Sequence, residues 1–300
     1  MNKLLTAIKP FLKRYDLIII FSLMALIYCI IEYYVFFPVV LSLSVFKSGN
    51  ILEIVIYVIQ FAFKYLFKVE YLIYGLIGII ASGLLFGVVF SAVFYSLNNF
   101  FSKKAHPKDG IFKVEFLKSQ YLTGVKQHFG KMTFISTFTI LYTILFTAFM
   151  VVVTIPAVAV LRGQMEGKID FLPLAIMLTV ITAIVLFFGF MFYRTYILFW
   201  YPAAFNFKRK IFAIGKKAAD TFFWEIVCFL AIFDIVFWLF QSMLIFLNSL
   251  LIGGQGIGIL RFLILILLNW IVKSVLFTTL IVFVFSKFQQ FKKRIVAKTT

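Results

Sequence analysis

Residues 123–140 read TGVKQHFGKMTFISTFTI: a short basic segment leads directly into an apolar run. The apolar run continues through residue 160 without a charged residue. It is therefore longer than the roughly 20 residues that a helix needs to cross a bilayer. Residues 6–23, TAIKPFLKRYDLIIIFSL, have the same layout near the N-terminus. The recurrence predicts a helical membrane protein built from repeated units.

The composition supports the same class of protein. Hydrophobic residues make up 64% of the 300 residues and charged residues 13%, against roughly 45–50% and 25% in soluble domains. We predict an all-α polytopic integral membrane protein that forms a single transmembrane domain over residues 1–300. Its six predicted transmembrane helices cover residues of about 17–46, 71–98, 133–160, 171–201, 223–250 and 258–286.

One further apolar segment, residues 51–68, has a different pattern. Its polar residues fall near every third or fourth position and form one stripe along a helix: Glu53, Tyr57, Gln60, Lys64 and Lys68. A one-sided polar stripe is typical of a helix that lies on the membrane surface. We favour that interpretation, and a seventh span stays open as the alternative.

The distribution of basic residues predicts the orientation. They concentrate in residues 3–14, 103–131, 208–217 and 287–298, whereas the intervening loops carry far fewer. Loops rich in lysine and arginine stay on the cytoplasmic side. We therefore expect a multi-pass protein of the cell membrane with both termini in the cytoplasm. The net charge of +18 then needs no nucleic-acid partner.

An internal repeat explains why residues 6–23 and 123–140 have the same layout. An offset of 117 positions aligns residues 6–27 with 123–144, and an offset of 206 aligns the first unit with the third. Each predicted unit has an interfacial amphipathic helix, a span, an outer turn and a second span. Each ends in an aromatic and basic exit: YSLNNFFSKK, YPAAFNFKRK or FSKFQQFKKR. The three hairpin units cover residues of about 3–104, 111–210 and 211–294.

Residues 192–230 carry a resemblance to a known family. The segment reads FYRTYILFWYPAAFNFKRKIFAIGKKAADTFFWEIVCFL, and the residues that match are Arg194, Pro202, Lys216, Lys217, Phe222, Phe223 and Trp224. It resembles the membrane domain of bacterial glycerophosphodiester phosphodiesterases and of related uncharacterised multi-pass membrane families. In those families, a span with an arginine and a late proline leads into a basic amphipathic helix and an aromatic start to the next span. The resemblance covers about an eighth of the chain and implies a fold, not an activity.

Four charged residues lie well inside apolar spans and form a candidate intramembrane polar centre: Glu32, Arg194, Asp234 and Lys273. Charges at such depth are costly, so they are expected to face the bundle interior and to find partners. Folding the last hairpin at Gly253 and Gly254 places Asp234 opposite Lys273, which predicts that ion pair and leaves Arg194 for Glu32. Such pairs either fasten helices together or form a binding centre.

Two glycines in the second span, Gly83 and Gly87, have the spacing that lets helices approach closely. We expect them to pack against another helix of the chain, and a dimer face is the alternative.

The basic segments also supply candidate contacts to lipid headgroups: Lys9, Lys13, Arg14, Lys126, Lys131, Lys216 and Lys217. Sequence motifs for enzymatic chemistry are absent: the chain has no HExxH, no GxSxG and no phosphate-binding glycine loop. We predict no enzyme activity, no cofactor and no metal.

Two functions are favoured for such a chain. The first is a non-enzymatic membrane accessory or scaffold protein that contacts membrane lipids, and the sequence leaves a protein partner or a homo-oligomer open. The second is a transporter or permease subunit that uses the intramembrane charges as its site. Internal repeats are common in transporters but do not decide between the two. An enzyme acting on lipid headgroups ranks third, because its only acids on the outer side would be Glu53, Glu166 and Asp170, which show no paired spacing.

Overall fold

The computed structural model describes residues 14–32, 68–102, 114–165, 172–250 and 258–299, and within these ranges the chain is helical apart from short connections. Seven helices follow in order: α1 (Tyr15–Ile31), α2 (Val69–Phe101), α3 (Val114–Met165), α4 (Leu172–Asn206), α5 (Ile211–Thr221), α6 (Phe223–Leu250) and α7 (Gly258–Thr299). The prediction of an all-helical membrane protein is confirmed.

Five of these helices are long and apolar enough to cross a membrane, as predicted for the last five spans. The apolar segments are Leu72–Phe101, Gln120–Leu161, Leu172–Asn206, Phe223–Leu244 and Leu263–Ile295. Helix α1 is apolar but shorter, at 17 residues. The remainder of the predicted first span, the predicted surface helix before it and most of the segment 51–68 lie outside the described residues.

The second helix of each predicted unit lies at the centre of the bundle. Helices α2, α4 and α7 contact one another. The first helices lie outside them: α1 against α7 and α2, α3 against α2 and α4, and α6 against α4 and α7. Each outer helix therefore lies between two of the three central helices, and α1 closes the ring onto α7.

The predicted surface helix before the third span is not a separate element. Helix α3 runs without interruption for 52 residues, from the basic segment through the whole span. Its first part is held against α2, because a Cβ atom on Gly124 would lie only 2.6 Å from the carbonyl oxygen of Ser91. Glycine costs a helix only about 1 kcal/mol, which packing against a neighbour offsets. The third unit differs, since α5 is a separate short helix, as predicted.

Close packing of α2 on α3 depends on the two glycines of α2. A Cβ atom on Gly83 would lie 1.9 Å from the hydroxyl of Thr137, and one on Gly87 would lie 2.1 Å from that of Thr133. No side chain fits in this space, so the two backbones approach closely. The expectation that the glycines pack within the chain is confirmed.

The end of the bundle at which α2 and α4 finish, and where Gln289 of α7 lies, is here named the exit end. Three amide side chains meet there, one from each aromatic and basic exit. The carbonyl oxygen of Asn98 accepts hydrogen bonds from Asn206 at 2.8 Å and from Gln289 at 2.9 Å. Lys292 donates to the other end of Asn206 at 2.8 Å. This cluster ties the three central helices together.

Candidate functional site

The first ion pair joins α1 to α7. The ammonium of Lys273 donates to Oε2 of Glu32, and the Lys273 side chain is fully buried. Asn269 donates to the same oxygen at 2.8 Å, and Gln241 of α6 donates to Oε1 at 3.1 Å. The Glu32 carboxylate thus accepts hydrogen bonds from three groups on two helices. These bonds offset the cost of placing its charge in an apolar environment.

Aromatic rings complete the surroundings of this pair. The ammonium nitrogen of Lys273 lies 4.9 Å from the ring centre of Tyr28 and 5.1 Å from that of Phe237. Ring faces attract a cation most strongly where water is excluded. One polar atom beside this pair has no hydrogen bond: Oδ1 of Asn269 is buried and has no partner among the described residues.

The second ion pair joins α4 to α6. One guanidinium nitrogen of Arg194 donates to both carboxylate oxygens of Asp234, at 2.6 and 2.7 Å. Both side chains are mostly covered, with exposed fractions of 16% and 23%. The guanidinium carbon also lies 4.9 Å from the ring centre of Phe190. The four charges therefore form two neutral pairs.

The predicted partners were wrong. Folding the last hairpin on itself predicts Asp234 with Lys273 and leaves Arg194 for Glu32, whereas the structure pairs Asp234 with Arg194 and Lys273 with Glu32. The predicted pairing holds only if the charged side chains of the two helices of one hairpin face each other. In the bundle, the outer helix α6 also contacts α4, and its acid faces that neighbour instead.

The two pairs occupy corresponding places in the bundle. In each, the acid lies on or directly after the first helix of one predicted unit, and the base lies on the second helix of another: Asp234 of α6 pairs with Arg194 of α4, and Glu32 after α1 pairs with Lys273 of α7. The third corresponding interface, between α2 and α3, holds the glycine and threonine contacts instead. The outer helices α1 and α6 are thus each fastened to a central helix by an ion pair, and α3 is fastened to α2 by close packing.

A polar network near the exit end joins α1, α2 and α3. The guanidinium of Arg14 donates to Asp16 at 2.7 and 2.8 Å and to the hydroxyl of Ser96 at 2.6 Å. Tyr121 donates to Asp16 at 2.6 Å. Burial alone would lower the pKa of Arg14, but the hydrogen bonds and the charge of Asp16 raise it above its usual value.

This network corrects one of the predicted headgroup contacts. Arg14 is 2% exposed and its guanidinium is engaged inside the bundle, so it does not face a headgroup. Of the other candidates, Lys126, Lys216 and Lys217 are exposed and Lys131 is half-buried. Lys9 and Lys13 lie outside the described residues. Further exposed basic residues lie where α4 and α7 leave the bundle: Lys208, Arg209, Lys210, Lys293 and Arg294.

Sequence reasoning missed the amides that accompany the charges. Gln241 and Asn269 bind Glu32, while Asn98, Asn206 and Gln289 form the cluster at the exit end. Each of these residues lies within or at the end of a long apolar run, where an amide without a partner is costly. That position is the signal that identifies them.

Two of the spaces between the described helices have the volume of a ligand pocket. An apolar cavity of about 470 Å³ lies between α1, α2, α4 and α7, with walls that include Phe21, Phe86 and Tyr201. A second space of about 610 Å³ lies between α3, α4 and α5. None of the four intramembrane charges lines either space. Within the described ranges, no group of three or more histidine, cysteine or acidic side chains is placed to hold a metal ion.

Comparisons of the chain with protein-family models, with curated proteins and with solved structures each give no match. The class of the protein therefore rests on its own helices: it is a multi-pass helical membrane protein, with five helices long enough to span.

Proposed function

We propose that this protein is a non-enzymatic membrane accessory or scaffold protein whose basic exit end contacts anionic lipid or a protein partner. The observation that carries the proposal is that the intramembrane charges form two neutral pairs, one between α4 and α6 and one between α1 and α7. Charges that satisfy one another fasten helices, and they leave no net charge to attract a substrate.

The exposed charges support the same function. The exposed basic side chains of the described exit end are Lys208, Arg209, Lys210, Lys216, Lys217, Lys293 and Arg294. Near an anionic membrane surface, each such side chain contributes about 1 kcal/mol of attraction. Because the amide cluster fixes the three central helices, it also holds these residues at one end of the bundle. We place this end in the cytoplasm of the cell, as the charge distribution along the chain predicts.

The test compares two variants of the purified protein. In the first, Lys208, Arg209, Lys210, Lys216 and Lys217 are all changed to glutamine; in the second, Arg194→Met and Asp234→Leu remove one ion pair. Native mass spectrometry then measures how many phosphatidylglycerol and phosphatidylcholine molecules each retains. We expect the first variant to lose its preference for the anionic lipid and the second to keep it. Equal retention of the anionic lipid by the first variant and the wild type would refute the lipid contact of the basic exit end.

One observation favours the second candidate, a transporter or permease subunit. The buried Oδ1 of Asn269, next to the Glu32 carboxylate, lacks a donor among the described residues, and such an acceptor is suited to an ammonium or hydrated cation. A transporter would keep its fold and lose solute uptake into vesicles in Glu32→Gln. The proposed accessory role predicts instead that this change lowers stability, because it weakens the contact with Lys273.

The resemblance of residues 192–230 to the membrane domain of glycerophosphodiester phosphodiesterases is kept as a proposal about fold. It is supported locally by a late proline in α4, the short basic helix α5 and an aromatic start to α6. No activity is inferred from it.

A further inference from the structure

The space between α3, α4 and α5 is a groove with aromatic walls. Tyr142 and Phe146 contribute from α3, Tyr193 from α4 and Phe212 from α5. The rings of Phe146 and Tyr193 stack with centres 4.3 Å apart, so α3 and α4 are in direct aromatic contact along this wall. The volume of about 610 Å³ falls within the range of ligand pockets in proteins.

The direction of the groove follows from the residues of α4 that line it. They extend from Trp200, near the exit end, to Gly189 in the middle of the helix. At 1.5 Å per residue this stretch is roughly 16 Å long. One leaflet of a bilayer has a hydrocarbon thickness of about 15 Å. The groove therefore extends from the headgroup level to about the middle of the bilayer.

One basic residue stands at the headgroup end. Lys216 of α5 lines the groove together with Phe212 and Ala213, which share its helical face. The neighbouring Lys217 is also exposed but is not among the lining residues. The nearby acid, Asp220, accepts a hydrogen bond from Tyr196 at 2.7 Å. An exposed ammonium therefore stands at one end of a largely aromatic groove of one-leaflet length.

We propose that this groove binds one anionic phospholipid, with its phosphate at the ammonium of Lys216 and one acyl chain along the aromatic wall to Gly189. This proposal rests on the proposed function, in which the exit end contacts anionic lipid, and it names the groove as the site of that contact. Charge complementarity identifies the headgroup, since a phosphate is the anion that a membrane presents at this level. The depth of the groove identifies the chain, because hydrocarbon is what fills a bilayer below the headgroups.

Glycine at position 189 is what leaves the inner end of the groove open. A Cβ atom there would lie 3.8 Å from the ring of Phe146 and from the sulfur of Met150, which is ordinary contact. Alanine therefore fits without displacing a neighbour, whereas leucine would extend into the space assigned to the acyl chain. The pair of variants Gly189→Ala and Gly189→Leu separates occupancy of the groove from damage to the helix.

The experiment titrates purified protein with phosphatidylglycerol and, separately, with phosphatidylcholine of the same chains, and counts bound lipids by native mass spectrometry. We expect one phosphatidylglycerol to bind more tightly than the rest. Lys216→Gln should weaken this lipid about five-fold, and its matched control Lys217→Gln should weaken it less than about two-fold. Gly189→Leu should remove the tight lipid and Gly189→Ala should retain it.

Two outcomes would overturn the assignment. If Lys216→Gln and Lys217→Gln weaken the tight lipid equally and Gly189→Leu has no effect, the groove is not the site, although the exit end still contacts anionic lipid. If the wild type does not distinguish phosphatidylglycerol from phosphatidylcholine, both the groove and the lipid contact of the proposed function are refuted. A melting temperature within a few degrees of the wild type confirms that each variant is folded.

Discussion

Removing Arg194 or Asp234 alone should destabilise the protein far more than removing both. The change Arg194→Met leaves the Asp234 carboxylate without its two hydrogen bonds of 2.6 and 2.7 Å, in a place where the side chain is 23% exposed. The change Asp234→Leu leaves the guanidinium in the same condition. A charge left unpaired inside a membrane protein costs about 2–3 kcal/mol.

The double variant removes both charges and leaves two apolar side chains of similar size. Replacing a covered ion pair by apolar groups is close to neutral, so we expect its free energy of unfolding to lie within about 1 kcal/mol of the wild type. The coupling free energy between the two positions is then at least about 3 kcal/mol. This value exceeds the usual coupling between helices in a membrane, which is below about 2 kcal/mol.

Reversible unfolding in mixed micelles, followed by circular dichroism, measures these free energies for the wild type, the single variants and the double variant. The matched control combines Asp234→Leu with Lys273→Met, because these residues belong to different pairs. We expect that combination to be additive within about 0.5 kcal/mol. Strong coupling between Asp234 and Lys273, together with additivity between Asp234 and Arg194, would show that Asp234 pairs with Lys273 within the last hairpin. That result would refute the pairing of Asp234 with Arg194.

Three further predictions concern other contacts of the bundle. The change Lys273→Met should lower the free energy of unfolding by about 3–5 kcal/mol because it strands a covered carboxylate, and adding Glu32→Gln should restore much of the loss in the same assay. The change Gly87→Ala places a Cβ atom 2.8 Å from a backbone atom of α3 and should cost about 1–3 kcal/mol. Its control Gly78→Ala, which meets nothing within 4 Å, should be neutral or slightly stabilising by thermal unfolding. The change Asn98→Ala removes the acceptor of two amides and should cost about 1–3 kcal/mol; a loss below about 0.5 kcal/mol would show that the amide cluster does not hold the central helices.

The spans and the depth of the charges could be predicted from the sequence because both depend on distance along the chain. A run of 20 or more apolar residues is stable in a bilayer only as a helix, so the five described spans follow directly from composition. The glycine spacing of Gly83 and Gly87 also predicted a close helix contact. These features need no knowledge of which helices are neighbours.

The partners of the charges could not be predicted because they depend on how the helices are arranged around one another. Asp234 lies on an outer helix that touches two central helices, and either neighbour offers a base at a suitable depth. Choosing between Arg194 and Lys273 requires the rotation of α6 about its own axis, and tertiary packing sets this rotation. The same applies to the long helix α3, whose basic first part packs against α2.

The burial of Arg14 has a similar origin. A basic residue just before a span is usually a headgroup contact, and the sequence contains nothing near Arg14 except Asp16 to suggest otherwise. The other members of its network, Ser96 and Tyr121, come from helices far along the chain. Only the assembled bundle brings these polar groups together.

Native mass spectrometry of the protein extracted gently from its own membrane, both as the wild type and as the double variant Arg194→Met with Asp234→Leu, separates the two candidate functions. We expect the same anionic lipid or stoichiometric protein partner to accompany both forms, because the intramembrane charges fasten helices and the exit end makes the contact. A small molecule bound to the wild type and lost from the folded double variant would contradict this expectation and would identify the charges as a transport site.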